Sequence, residues 1–361
     1  MKYKLNIIAA AIASLAFGCG HKSEESGISI TPEAGASYKS GDVVAVKAHY
    51  PSSTKADSVV YLVDSVKVGS LKDSTTFSLK TDSMALGPRV ITAKVYTGGQ
   101  SQETSTNIVL LPAKAPVEYT YKVIKTFPHD TGCYTEGLVY QDGALYESGG
   151  GYLTPPSGQP ADGQSSLRKT DLSTGKILKK VMVDPKVFGE GISVIGNKII
   201  QLTWKEKVAY VYDKDTFKLL NTIPFNVGAE GWGMCFDGKK LYFDDSTNRI
   251  WFLDKDNYRQ TGFIDVYDEK GPVNNINELE YIDGKIYANI YQTNYIIVIN
   301  PKTGAVEERI DLSSLYPEPR TPPAEVLNGI AYDAAGKRIF ITGKKWQHLY
   351  QVVFTLNPPT P

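Results

Sequence analysis

Four polar residues and one tryptophan stand at equivalent places in a repeated pattern. Glu136-Gly137-Leu138, Glu190-Gly191-Ile192, Trp232-Gly233-Met234, Asn277-Glu278-Leu279 and Asn328-Gly329-Ile330 each open a short apolar stretch. Carboxylates that move protons, and amides that donate hydrogen bonds, are the makings of acid/base chemistry on a small polar ligand. Each opening is followed by a turn containing glycine, then by a second apolar stretch. In an antiparallel hairpin the first residue of one strand lies beside the last of the other. That register brings Glu190 near Trp204, Trp232 near Asp244 and Asp245, Asn277 near Tyr291, and Asn328 near Lys344. Glu136, Glu190, Asn277, Asn328 and Lys344 then face a common space walled by Tyr134, Phe188, Trp204, Trp232 and Tyr291. An aromatic cup with a few convergent polar groups is the usual composition of a small-ligand pocket.

The elements that must carry these residues follow from the spacing. The openings recur about every 40–50 residues, with several strands per repeat, which is the period of propeller blades. A third strand in each repeat is announced by an Asp- or Asn-led turn: Asp171 to Gly175, Asp213 to Thr216, Asp254 to Asn257 and Asn300 to Gly304. The two Asp-Lys-Asp runs among them lack the Gly and Glu of a calcium loop and read as turn chemistry. Four such turns serve five repeats, so the last repeat needs an outer strand from elsewhere. Tyr119 to Phe127 supplies it and closes the ring without a free edge. The fold expected over residues 118–356 is an all-β, five-bladed β-propeller, with the five openings at one mouth of its channel.

Residues 27–112 have another texture. Val43 to Val46, Val59 to Leu62, Thr76 to Leu79 and Val90 to Tyr96 read as short strands with turn signals between some of them. An Ig-like β-sandwich without the Cys pair or Trp is expected there, as a spacer or docking unit. A linker at 113–117 is bounded by prolines. Ahead of this unit, Lys2 and Lys4 precede an apolar run from Leu5 to Phe17, too short to span a bilayer. Ala16-Phe17-Gly18-Cys19 resembles a bacterial lipobox. The expectation is a signal peptide over 1–18, lipidation of Cys19, a tether over 19–26, and a cell-envelope lipoprotein, periplasmic or surface-exposed, on the outer membrane. Among 361 residues, Lys+Arg and Asp+Glu both number 39. That balance excludes the basic field a nucleic-acid partner needs. Cys133 and Cys235 read as buried free thiols, and no Cys/His cluster has zinc spacing.

At these residues the chain resembles the glutaminyl-peptide cyclotransferases of the plant and bacterial type. The resemblance rests on Phe127-Pro128-His129-Asp130, Tyr134-Thr135-Glu136-Gly137-Leu138, Ser165-Ser166-Leu167-Arg168, Phe188-Gly189-Glu190-Gly191-Ile192 and Gln201-Leu202-Thr203-Trp204-Lys205. It continues through Gly231-Trp232-Gly233, Asn277 to Tyr281, Ile286 to Asn289, Leu327 to Tyr332 and Thr342 to Trp346. It implies a five-bladed propeller and conversion of N-terminal glutamine to pyroglutamate with loss of ammonia. It also implies an acid/base carboxylate at Glu190, aromatic walls at Tyr134, Phe188, Trp204, Trp232 and Tyr291, and polar binders at Glu136, Asn277 and Lys344. Peptides or proteins beginning with Gln are the implied partners. No cofactor is required, though a structural calcium fits the channel of such folds without a legible ligand set. The chain departs from the family at Glu136, where Gln is usual, at Tyr291, where Trp is usual, and in a Gly- and Pro-rich insertion from Tyr152 to Gly163, near the mouth.

Ring closure by the substrate's own amine needs one group to accept a proton and return it to the leaving nitrogen. Glu190 fits that role, with Lys344 and Asn277 as donors to the oxyanion or the side-chain carbonyl. Glu136 either repels the second carboxylate or holds the substrate's ammonium. Two other readings compete. One is a non-enzymatic cell-surface propeller binding peptides or glycans. The other is a hydrolase built on His129, Asp130 and Ser148, against which stands the lack of a nucleophile-elbow context.

Overall fold

In the computed structural model the described residues are 27–357, apart from 159, 317, 318 and 321. The expected signal peptide, the expected lipidation site Cys19 and the expected tether fall outside them. The regular elements of the described residues are all strands. Burial tells the place of each strand in its sheet. Ala144–Gly149 is buried at every position, while Ile177–Met182, the last strand of the same sheet, alternates between half-buried and exposed. A strand covered on both faces must hide every side chain, whereas an outer strand needs one apolar face only.

Four consecutive four-stranded antiparallel meanders follow, three as separate sheets and the fourth as part of an eight-stranded sheet. The first comprises Thr135–Gln141, Ala144–Gly149, Ser166–Asp171 and Ile177–Met182. The second comprises Gly189–Ile195, Lys198–Thr203, Val208–Asp213 and Leu219–Pro224. Met234–Phe236, Lys240–Asp244, Arg249–Asp254 and Gln260–Asp265 form the third, and Ile276–Ile282, Lys285–Ile290, Tyr295–Ile299 and Val306–Asp311 the fourth. The last three strands, Leu327–Asp333, Arg338–Gly343 and His348–Leu356, take their outer partner from the start of the region. Val117–Pro128 pairs antiparallel with His348–Leu356, Tyr119 opposite Leu356 and Phe127 opposite Leu349. Its first residues also pair in parallel with Glu308, Arg309 and Ile310, which ties the fourth sheet to the fifth. The leading strands of the five sheets touch one another in cyclic order, the first against the last. Asx geometry holds the connecting turns, as where the Thr174 and Thr216 amides donate to Asp171 and Asp213.

The ladders are interrupted at the openings. Pairing shifts between Thr135 and Gly137, between Gly189 and Ile192, between Ile276 and Leu279, and between Leu327 and Ile330. Each shift leaves Glu136, Glu190, Asn277 or Asn328 outside the regular register. Such a bulge bends its strand and re-aims the side chain it carries. The glycine after most openings has a steric reason. A Cβ on Gly191 would lie 2.4 Å from Trp232 O, and one on Gly233 would lie 2.2 Å from Asn277 O. At Glu278, which stands in the glycine's place, the carboxylate reaches across the centre. Its oxygens accept the Leu138 and Ile330 amides at 3.1 and 2.8 Å.

The N-terminal unit has a three-stranded sheet (Ser29–Thr31, Val43–His49, Phe77–Lys80) and a five-stranded sheet. The latter runs Ala36–Lys39, Gln100–Leu111, Gly87–Thr97, Ser58–Val63, Val66–Leu71 in spatial order. Val44, Val46, Tyr61, Ile91 and Leu110 form the core between them. The sequence reading lacked Val66–Leu71, and it lacked Gln100–Leu111, whose first half is polar and mostly exposed. This unit abuts the third and fourth sheets: the Leu86 amide donates to Thr303 O, and Tyr267 joins its core.

Candidate active site

The bulged openings converge on a cavity of about 250 Å³ lined by Tyr134, Glu136, Asp162, Phe188, Glu190, Trp204, Trp232, Asn277, Tyr291 and Lys344. Hairpin register delivers the aromatic walls. The Trp204 amide donates to Phe188 O, the Tyr291 amide to Asn275 O and the Trp232 amide to Asp244 O. The rings pack edge to face in two runs. Tyr134, Phe188 and Trp204 follow one another with centroids 6.2 and 5.7 Å apart, and Trp232 meets Tyr291 at 5.4 Å. Both indoles donate to a single oxygen, Glu230 Oε2, Trp204 Nε1 at 2.7 Å and Trp232 Nε1 at 2.9 Å. One carboxylate therefore sets the orientation of two walls from behind.

Among the polar groups, Lys344 and Glu136 are already engaged. Lys344 Nζ donates to Glu136 Oε1 at 2.5 Å and sits 4.4 Å from the Tyr134 ring centroid and 5.4 Å from that of Tyr291. The other oxygen, Glu136 Oε2, accepts Asn328 Nδ2 at 3.3 Å. Asn328 also donates to Thr135 O. It is fully buried behind Glu136 and does not line the cavity, unlike the other residues expected there. The outward turn of its bulge is taken up by the link to the first sheet. Glu136 is not free to take a substrate ammonium, since both its oxygens have partners.

Glu190 is different. It is 5 % exposed, lines the cavity, and its carboxyl makes no hydrogen bond among the described residues. Burial pushes its pKa well above the ordinary carboxylate range, Glu136 adds to the rise, and Lys344 opposes it. Burial likewise pushes Glu136 up, to about 7, against the pull of Lys344. The Asn277 amide also makes no hydrogen bond among the described residues; its Oδ1 is buried, and the residue lines the cavity.

A glutamine cyclotransferase family model matches residues 91–354, well over half of the chain. The chain belongs to the glutamine cyclotransferase family. By family it is an enzyme of the glutaminyl-peptide cyclotransferase type. A glutaminyl-peptide cyclotransferase of Arabidopsis thaliana is 34% identical over 235 residues, covering 64% of this chain and 70% of that protein. The crystal structure of Myxococcus xanthus glutaminyl cyclase superposes with a TM-score of 0.60 at 31% identity, over 67% of this chain and 100% of that one. The family match starts at 91, within Gly87–Thr97, earlier than the motifs suggest.

Sequence reading of this cyclotransferase missed three parts of the site. Asp162 lies in the insertion and reaches the lining. Glu230 precedes Trp232 by two residues, and nothing in its spacing marks a bond to Trp204. Tyr152 packs on Phe188 at 5.2 Å and donates to Glu206. The hydrolase reading finds no support in the geometry. His129 is bonded to Glu147 at 2.8 Å and to Trp346 O at 2.7 Å, while Ser148 Oγ accepts Gln201 Nε2. His129 and Ser148 are not paired. Burial opposes charge on His129, but Glu147 and the Trp346 carbonyl raise its pKa. Burial also opposes charge on Glu147, but His129 and Arg168 hold it down, to about 2. This is a buried ion pair rather than a nucleophile's base. No group of three or more His, Cys, Asp or Glu among the described residues is arranged to hold a metal ion. Cys133 and Cys235 are buried and unpaired.

Proposed function

We propose that the protein converts the N-terminal glutamine of peptides or proteins to pyroglutamate, releasing ammonia, with Glu190 as proton shuttle and no metal required. The observation that carries this reading is the Glu190 carboxyl. It is buried in an aromatic cavity, raised in pKa and free of hydrogen bonds, beside two polar groups already tied to each other. The substrate's α-amine titrates near 8, so a carboxyl whose pKa burial has raised is better matched to exchange protons with it than an ordinary one.

In the first step the neutral amine nitrogen attacks the γ-carboxamide carbon. The new N–C bond forms, the carbonyl electron pair moves onto oxygen, and Glu190 accepts a proton from the attacking nitrogen. Asn277 and the remaining N–H groups of Lys344 stabilise the oxyanion. In the second step the carbonyl re-forms, the C–N bond to the leaving nitrogen breaks, and Glu190 returns the proton to it as ammonia departs. Nothing is oxidised or reduced, and one carboxyl serves both transfers, so no Lewis acid is called for. Trp204 and Trp232, locked by Glu230, hold the glutamine side chain folded in a near-attack pose. Glu136 orders Lys344 and, by its charge, helps hold the Glu190 pKa up.

The same reading takes the five cyclic sheets as a five-bladed β-propeller and the N-terminal unit, 27–112, as an Ig-like sandwich set ahead of it. It takes Cys19 as the site of a lipid anchor to the bacterial envelope. Labelling of the parent with a radioactive fatty acid, lost in Cys19→Ser, tests the anchor. The reaction is tested by mass spectrometry of a Gln-initiated peptide incubated with enzyme and chelator. Loss of the mass of ammonia is expected; an unchanged peptide with folded protein favours a binding module instead.

A further inference from the structure

The insertion from Tyr152 to Gly163 is fastened to the mouth of the cavity at several points. The Tyr152 amide donates to Asp162 Oδ1 at 2.7 Å, and the Tyr152 hydroxyl donates to Glu206 Oε1 at 2.7 Å. The Thr154 amide donates to Pro185 O and the Ser165 amide to Gly151 O. These bonds hold Asp162, an exposed residue, in the lining of the same cavity as Glu190.

The ionisable side chains of that lining are unbalanced. Three carboxyls, Glu136, Asp162 and Glu190, face one ammonium, Lys344, and that ammonium is bonded to Glu136. Behind them, Glu206 and Glu325 add negative charge within electrostatic reach, Glu206 acting on Glu190 and Glu325 on Glu136. Lys205 lies 3.5 Å from Glu230, and Lys345 lies 3.0 Å from Glu325, which balances the charge of Glu325. When glutamine fills the cup, the rest of the peptide must leave through the mouth, past Asp162. A carboxylate at the exit attracts a cationic side chain and repels an anionic one.

We propose that Asp162 is a specificity-determining residue that selects peptides carrying a Lys or Arg just after the N-terminal glutamine and disfavours Asp or Glu there. This rests on the cyclotransferase reading of the same cavity.

The test compares kcat/KM for three short peptides beginning Gln-Lys, Gln-Ala and Gln-Glu, at low and high salt, with the parent and with Asp162→Asn. Asparagine keeps the carbonyl oxygen that accepts the Tyr152 amide, so the loop's fastening is retained. The parent is expected to favour Gln-Lys over Gln-Glu by about fivefold, the scale of one exposed ion pair. The ratio should shrink toward one in high salt, because exposed charges are screened. Asp162→Asn should shrink it likewise at low salt. Equal rates for the three peptides with the parent overturn the selection. A preference that persists undiminished in Asp162→Asn overturns the assignment to this residue. Failure to turn over any of the peptides, Gln-Ala included, overturns the cyclotransferase reading and this inference with it.

Discussion

Lys344 Nζ lies 2.5 Å from Glu136 Oε1, and both side chains are almost wholly buried. The fifth sheet thus reaches its neighbour, the first, at the wall of the cavity, through the carboxylate of Glu136. Removing one member of a buried pair leaves the other's charge uncompensated, at a cost of about 3–5 kcal/mol. Lys344→Met should therefore lower unfolding stability by that order at pH 8, and by less at pH 6, where Glu136 takes up a proton. Adding Glu136→Gln should recover most of the loss. Denaturant melts of the parent, single and double variants check this, and equal melts for parent and single variant would contradict it.

Glu136→Gln on its own removes a like charge that helps raise the Glu190 pKa, while its side-chain oxygen still accepts Lys344. The acid limb of the kcat/KM profile should move to lower pH, with a maximum within about tenfold of the parent. A fall beyond about 10²-fold, the lower range for losing an acid/base group, would show that Glu136 itself exchanges protons with the substrate.

Glu230 touches no substrate in this account and works through the two indoles. Glu230→Ala should lower kcat/KM by about 10-fold to 10²-fold, the scale of a misplaced wall. The acid limb of the profile should stay where it is, since Glu190 is untouched. Glu230→Gln keeps one acceptor oxygen and should recover much of the loss. An alanine variant with parental kinetics would mean that packing alone orients Trp204 and Trp232.

The buried carboxyls also tie stability to pH. Glu136 has a folded-state pKa of about 7 against an ordinary 4.5, and Glu190 is raised as well. Between the ordinary and the raised values the folded state binds more protons than the unfolded one, so stability falls as pH rises through that window. Glu190→Gln removes one of these groups. Its Tm should exceed the parent's above pH 7, by about 2–4 °C for each kcal/mol gained, and match it near pH 4.5. A constant difference across that range would show that Glu190 does not change protonation on folding.

Much of this was legible in the chain, for physical reasons. The openings repeat because the leading strands crowd a centre where a Cβ on Gly191 or Gly233 would strike a neighbouring carbonyl. Hairpin register then fixed which aromatic stands beside which polar group. Tyr119 to Phe127 was identifiable as the outer strand of the last sheet from a simple shortage of strands. Side-chain contacts between neighbouring repeats left no such trace. The Lys344 bond to Glu136 and the Glu230 bonds to Trp204 and Trp232 depend on how side chains are aimed around the cavity. Asn328 looked equivalent to Glu190 by position, yet its bulge turns it behind Glu136. The insertion was expected near the mouth, but Asp162's place in the lining depends on tertiary bonds from Tyr152 that no pattern marks.

The most direct measurement is ammonia release from a short Gln-initiated peptide by the parent and by Glu190→Gln, both shown to be folded. The parent should release ammonia at a steady rate, and the variant should be slower by about 10²-fold to 10⁴-fold. Comparable rates from the two would contradict the assignment of Glu190 as the proton shuttle.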